Sequence, residues 1–141
     1  MKSYSSIWIH LIWTTKSRMP LLHKHFRISL FKYMKENACQ KGLVADMING
    51  IEDHVHCLIR LLPDQKVSDF VKQIKGNSSR WINKKQYLEV PFSWQVGYGA
   101  ISVSTNNLAD IRQYIINQEK HQQHWKLEEE LERFEFYGKR K

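Results

Sequence analysis

Cysteine is scarce in these 141 residues, at positions 39 and 57 only. Cys39 and Cys57 share no metal-type spacing and lie in apolar surroundings, so both are expected to be small buried hydrophobes rather than a disulfide or a zinc site. No apolar run approaches the roughly 18 residues that a membrane span requires, so a membrane is not an expected partner. Six glycines and three prolines are too few for a flexible linker. No internal repeat or low-complexity stretch divides the chain either, and a single domain over 1–141 is expected. The opening MKSYSSIWIHLIW has an apolar patch broken by Ser and His and no small-residue cleavage site, which argues against a signal peptide and for a cytoplasmic location.

Acidic residues are missing from whole segments. The first is Glu36, and before it stand Lys2, Lys16, Arg18, Lys24, Arg27, Lys32 and Lys35. Between Asp69 and Glu89 the chain carries Lys72, Lys75, Arg80, Lys84 and Lys85 with no acid among them. Acidic charge gathers instead in LEEELERFE at 127–135, which reads as a solvated helix face ahead of the basic tail Lys139 to Lys141. With a net charge of +8 the basic segments favour a polyanion partner, and solvated helix charge is the alternative.

What is present sorts into strands and helices by period. YSSIWIHLIWTT is rich in Ile and Trp with partial alternation and predicts a buried strand. From about Lys24 to Lys41, Phe26, Leu30, Phe31, Met34 and Ala38 recur at three and four and stop at Gly42, which predicts an amphipathic helix. LVADMINGI and HVHCLIRLL, joined through Glu52 and Asp53, predict an antiparallel hairpin. Val67, Phe70, Val71, Ile74 and, less regularly, Trp81 predict a second helix with Gly76 as a candidate interruption. FSWQVGYGAISVS predicts another strand. Asn107 with Asp110 three residues on marks the start of a third helix over LADIRQYIINQEKH. The order strand, helix, strand, strand, helix, strand implies an α+β ferredoxin-like sandwich, with helices on one face of a mostly antiparallel sheet and a further C-terminal helix.

Two histidines with one residue between them open the third strand in DHVHCLI. Residues i and i+2 of a strand share a face, so His54 and His56 are placed to converge on one metal ion while Val55 and Cys57 turn away. By itself such a histidine pair is more often incidental or structural than a metal site. On the third helix Tyr114 and Gln118 are four apart on the margin of the stripe Leu108, Ile111 and Ile115, facing the protein body, with His121 nearby on that arc. A packed tyrosine and an ordinary helix glutamine would look the same.

Taken in order, HVH, KGNSSRW, WQVGYGAISVS and YIINQEKH resemble the single-tyrosine HUH transposases of small bacterial insertion sequences, over nearly the whole chain. The resemblance implies that Tyr114 is the nucleophile and that His54, His56 and Gln118 are the protein ligands of a divalent metal, Mg2+ or Mn2+. It implies a 5′-phosphotyrosine intermediate and a freed 3′-hydroxyl, so cleavage is reversible without ATP. The substrate it implies is single-stranded DNA with hairpins at the element ends, for which Lys72, Lys75, Arg80, Lys84 and Lys85, then Lys16 and Arg18, are the candidate phosphate contacts. Trp81, inside the basic segment, is the candidate for stacking on a base, and Trp8, Trp13 and Trp94 are candidates for the core. The family also implies a homodimer whose active sites are completed in trans, with GYGAISVSTNN as the swinging connection. The chain departs from the commonest pattern in EKHQQH, where a double histidine is frequent. Two other readings remain: a domesticated relative acting on repetitive palindromic DNA, and a catalytically silent nucleic-acid-binding module.

Overall fold

A computed structural model describes residues 1–120 together with 129 and 132. The elements run β1 (Trp8–Thr14), α1 (Lys24–Gln40), β2 (Val44–Gly50), β3 (His54–Arg60), α2 (Val67–Lys85), β4 (Gly99–Val103) and α3 (Leu108–Ile116), with 3-10 turns at Lys16–Arg18 and Thr105–Asn107. The strands form one sheet in the order β2-β3-β1-β4, and every pairing is antiparallel. This is the α+β architecture expected from the sequence. Among the described residues no helix is long and apolar enough to cross a membrane.

One sheet face carries the main core. Leu11, Trp13, Val55, Cys57 and Ile59 pack there against Phe26, Leu30 and Met34 of α1 and Phe70, Val71 and Ile74 of α2. Each large side chain buried in this way contributes on the order of 1.5–3 kcal/mol. The stripe in α1 falls where the spacing predicts, and the helix ends in a Schellman motif. Leu43 N donates to Ala38 O and Gly42 N to Cys39 O, with Gly42 at φ +74. Cys57 is buried as expected and burial pushes its thiol pKa up, with the charge of Asp46 adding to it. Cys39 is exposed, contrary to expectation, because it lies one residue past Ala38 and so rotates off the buried stripe. Gly76 does not interrupt α2, which is continuous to Lys85.

The opposite face carries His54, His56 and Leu58, against which α3 packs Leu108 and Ile115, with Ile111 and Tyr114 at the margin. The period-two alternation of β3 therefore divides its residues between two layers: hydrocarbon toward α1 and α2, imidazole toward α3. The turn joining β2 to β3 is tight. A Cβ on Gly50 would lie 2.2 Å from the carbonyl oxygen of His54, so only glycine lets the chain close there.

Three boundaries differ from expectation. The strand expected over FSWQVGYGAISVS is confined to Gly99–Val103, and Trp94 makes only an isolated bridge to Thr15. Between them the chain bulges outward, exposing Val96 and Tyr98. Within GYGAISVSTNN, Gly99–Val103 is hydrogen-bonded to β1 as strand, and Ser104 leads into the 3-10 turn Thr105–Asn107. Asn107 stands at the α3 N-cap without a capping side-chain bond, and α3 ends at Ile116, with a turn at Asn117 before helix resumes at Gln118. His121, 127–128, 130–131, 133–135 and the basic tail lie outside the described residues.

Candidate active site and nucleic-acid interface

One strand, β3, and the C-terminal helical segment supply the site, with β1 and β2 flanking β3 on either side. In the sheet register His54 lies opposite Thr14 and His56 opposite Ile12 on β1, and His56 lies opposite Asn49 on β2. Both histidines are fully buried, and their rings meet edge to face with centroids 5.2 Å apart. Tyr114 sits edge-on to His56, with centroids 5.5 Å apart at 85°. Gln118 is fully buried, and its Oε1 lies 3.3 Å from His54 Nε2. The four residues singled out for chemistry in the sequence are thus brought together within one chain.

The hydrogen bonds around His54 indicate what these atoms can hold. His54 Nδ1 lies 2.9 Å from the Asp53 carboxylate, which can only accept, so a neutral ring keeps its proton on Nδ1 and turns a lone pair outward from Nε2. Gln118 Nε2 donates to Tyr114 O at 3.2 Å, which orients its Oε1 toward that same nitrogen. Two lone-pair atoms facing each other at 3.3 Å repel unless a proton or a cation is shared between them. The separation suits neighbouring corners of one coordination sphere. Among the described residues no group of three His, Cys, Asp or Glu side chains is placed to hold a metal, and the polar side-chain atom next to His54 Nε2 is the Gln118 amide oxygen. Two imidazoles and an amide oxygen are neutral donors that fit a divalent cation and leave positions for phosphate oxygens and water.

Three ties seat α3 on the site, and none was evident in the sequence. Asn49 Nδ2 donates to Ile115 O at 2.9 Å and Ile116 O at 3.2 Å, satisfying carbonyls at the helix end. Arg112 forms a two-pronged pair with Asp46, Nε to Oδ2 at 2.8 Å and Nη2 to Oδ1 at 3.1 Å, and its own pKa rises through that hydrogen bond and charge. Asp46 is the extra residue of a β-bulge between Ala45 and Met47, which frees it from the ladder. Just past α3, Glu119 accepts from Arg27 Nη2 at 2.9 Å, and Arg27 also donates to Leu22 O. Arg27 is 3% exposed although it stands in an amphipathic helix. The nearest sequence signals were Asn49 and Asp46 inside an apolar strand and a buried-side arginine at 27, each ambiguous without the fold.

The sequence pattern also gave no sign of a role for His10. It is buried in β1, and its Nε2 lies 2.8 Å from His56 Nδ1.

Comparison with known proteins bears on the family and the fold. Residues 3–118 match the family model described as "Transposase IS200 like". The chain belongs to the IS200-like transposases. It is 34% identical over 114 residues to the ISDra2 transposase TnpA of Deinococcus radiodurans, covering 77% of this chain and 81% of that protein. A crystal structure from the same organism, described as a transposase, matches with a TM-score of 0.66 at 32% identity, covering 84% of this chain and 95% of that one. A REP-associated tyrosine transposase bound to a REP hairpin matches with a TM-score of 0.59 at 19% identity, covering 86% of this chain and 74% of that one, and shares the fold. The resemblance read from HVH and YIINQEKH is thereby borne out at the level of family and fold.

In this IS200-like transposase the candidate phosphate contacts fall in different settings. Lys72 and Arg80 are exposed beside Lys41 in a groove of about 660 Å³ that also contains Asp69, Gln73 and Asn77. Lys75 is engaged with the backbone instead. Its Nζ donates to Gln95 O at 2.6 Å and Gly97 O at 3.0 Å, clamping the bulge, and burial lowers its pKa. Lys84 and Lys85 are exposed in the last turn of α2, where cations also favour the helix dipole. Lys16 is exposed and Arg18 half-buried in the turn after β1, next to the strand end that pairs with His54. Ser17 N donates to Gln95 Oε1 and Lys16 N to Ser93 O, so that turn, the bulge and α2 form one connected surface. Trp81 is half-buried and stacked on Tyr33 with centroids 5.1 Å apart at 14°, which occupies one face of the indole. Trp13 and Trp94 are core residues, and Trp8 is half-buried under Arg112.

Proposed function

We propose that this transposase cleaves and rejoins single-stranded DNA at hairpin-bearing insertion-sequence ends, with Tyr114 as nucleophile. The observation that carries the reading is the convergence of His54, His56, Gln118 and Tyr114, drawn from β3 and the C-terminal helix, onto one buried sheet face. Tyr114 attacks a backbone phosphorus through its phenolic oxygen, forming a 5′-phosphotyrosine and releasing a 3′-hydroxyl. The released hydroxyl of another end then attacks that linkage, and the tyrosine leaves with its oxygen restored. His54, His56 and Gln118 would hold Mg2+ or Mn2+, which when bound polarises the phosphate and favours the phenolate. Asp53 fixes the His54 ring, and Gln118 couples its amide to the Tyr114 carbonyl, so ligand and nucleophile are positioned through adjacent bonds.

Lys72, Arg80, Lys84, Lys85, Lys16 and Arg18 would grip the DNA backbone, with Lys75 shaping the bulge between them. The protein would act in the cytoplasm as a homodimer in which the α3 of one subunit completes the partner's site. Within one chain α3 is seated on its own histidines, so exchange requires release of the Arg112, Asn49 and Glu119 ties.

The test is incubation of the protein with single strands carrying its element's ends, with and without Mn2+, followed by denaturing gels. A metal-dependent covalent adduct that disappears in Tyr114→Phe is expected. An adduct that persists in Tyr114→Phe would remove the nucleophile assignment, and hairpin binding with no cleavage at all would favour the silent binding module.

A further inference from the structure

We propose that His10 is a positioning residue that fixes His56 in its metal-binding form, an inference that rests on the metal-site reading above. His10 lies between Ile9 and Leu11 in an otherwise apolar strand, and it is 6% exposed. A polar ring buried in such a place needs a partner to offset its lost hydration. In register His10 faces Leu58 on β3 and Ile101 on β4, one step diagonal from His56 on the same sheet face. The two rings approach with centroids 5.0 Å apart and tilted by 36°, and His10 Nε2 lies 2.8 Å from His56 Nδ1.

A contact of that length holds one proton, which can belong to either ring. If it sits on His56 Nδ1, His10 Nε2 accepts it and His56 Nε2 keeps a lone pair for an ion. If it sits on His10 Nε2, His56 accepts at Nδ1 and its own proton moves to Nε2, where it blocks coordination. Because Nδ1 faces His10, Nε2 is the nitrogen through which His56 would bind an ion. His10 therefore does for the second ligand what Asp53 does for the first, since Asp53 Oδ1 accepts from His54 Nδ1 at 2.9 Å. The two supports differ in charge. A carboxylate next to each histidine would add a second anion on a face that must receive a phosphodiester, whereas a neutral imidazole orients His56 without it. His10 also packs edge-on to Tyr114, with centroids 6.0 Å apart, so the same ring bounds both ligand and nucleophile.

The test is Mn2+ titration of the full chain, read per folded molecule, for the wild type, His56→Ala, His10→Gln and His10→Met. Glutamine places an acceptor oxygen near the position of Nε2, whereas methionine fills similar volume without one. His10→Met should weaken Mn2+ binding about 10- to 100-fold, and His10→Gln should restore most of it. Nitrogen NMR on the metal-free wild type should find His56 protonated at Nδ1, a readout that stands even if His10→Met fails to fold. A site in which His56→Ala abolishes Mn2+ binding while His10→Met leaves it unchanged overturns the role of His10 alone, as does a wild-type His56 protonated at Nε2. Wild-type protein that binds Mn2+ no better than His56→Ala overturns the metal site itself, and the role of His10 with it.

Discussion

Asn49 stands directly opposite His56 in the β2–β3 ladder and reaches with its amide to the carbonyl of Ile115, 2.9 Å away. One β2 residue is therefore neighbour to a candidate metal ligand and stop for the helix that carries Tyr114. Asn49→Ala removes the donor from two helix-end carbonyls, and the net loss in stability should be about 1 kcal/mol. Cleavage should fall further than that figure implies, by tenfold or more, because the turn at Asn117 separates Tyr114 from Gln118. Thermal denaturation and strand-cleavage rates check the two effects separately. Unchanged cleavage in a folded Asn49→Ala protein would make the contact a cap and nothing else.

Gly50 controls the same strand from its start. Gly50→Ala introduces a Cβ where the His54 carbonyl oxygen now lies 2.2 Å away, so the hairpin must open. Overpacking of this sort costs on the order of 1–3 kcal/mol. Urea denaturation should show the loss, and metal affinity should fall with it because His54 is the residue displaced. A variant as stable as the wild type would mean that the turn relaxes without moving His54.

The ligand assignments predict a separation of binding from chemistry. His54→Ala or His56→Ala, or chelation of the metal, should abolish cleavage and leave hairpin binding nearly intact, because the basic surface is built from other elements. Gln118→Ala should be milder, since a water can replace one neutral donor. Gel shifts alongside cleavage assays report both quantities. Loss of binding and cleavage together in a folded histidine variant would contradict the separation, and full activity of Gln118→Ala at limiting metal would remove Gln118 from the site.

Salt dependence should sort the cations. Lys72→Ala and Arg80→Ala should each lower the slope of log affinity against log salt by about one if each side chain neutralises a phosphate. Lys75→Ala should behave differently, because its ammonium holds the carbonyls of Gln95 and Gly97. Its clearest mark should be faster proteolysis within residues 93–98. Unchanged slopes for Lys72 and Arg80 would return them to ordinary solvated charge.

How much was legible in the sequence follows from which interactions are local. Strand alternation placed His54 and His56 on one face, and helix periodicity placed Tyr114 and Gln118 on the inner margin, because both periods are properties of the backbone itself. The hairpin at Glu52 and Asp53 was legible for the same reason. His10, Asn49, Asp46 and Arg27 were not, since each acquires its role only from a partner 46 to 92 positions away. Cys39 was misplaced by one residue of helix rotation. Lys75 read as free charge, and nothing near it in sequence announces the carbonyls that it binds.

The arrangement of subunits gives the last prediction. If α3 crosses between subunits, a Tyr114→Phe subunit still offers intact histidines, and a His56→Ala subunit still offers a nucleophile. Each variant alone should be inactive. Mixed under conditions that let subunits exchange, they should regain cleavage, because one site of the heterodimer combines wild-type histidines with a wild-type tyrosine. If each tyrosine serves its own chain, as α3 is seated here, the heterodimer has no intact site. The ion pair of Arg112 with Asp46 supplies a second handle, since it ties α3 to its own sheet. Arg112→Ala introduced into the His56→Ala subunit should loosen that tie and increase the regained cleavage. Differently tagged subunits establish exchange independently. Persistent inactivity in proven heterodimers would then eliminate completion in trans while leaving Tyr114 as the nucleophile, because the single variant Tyr114→Phe tests that assignment without reference to the partner.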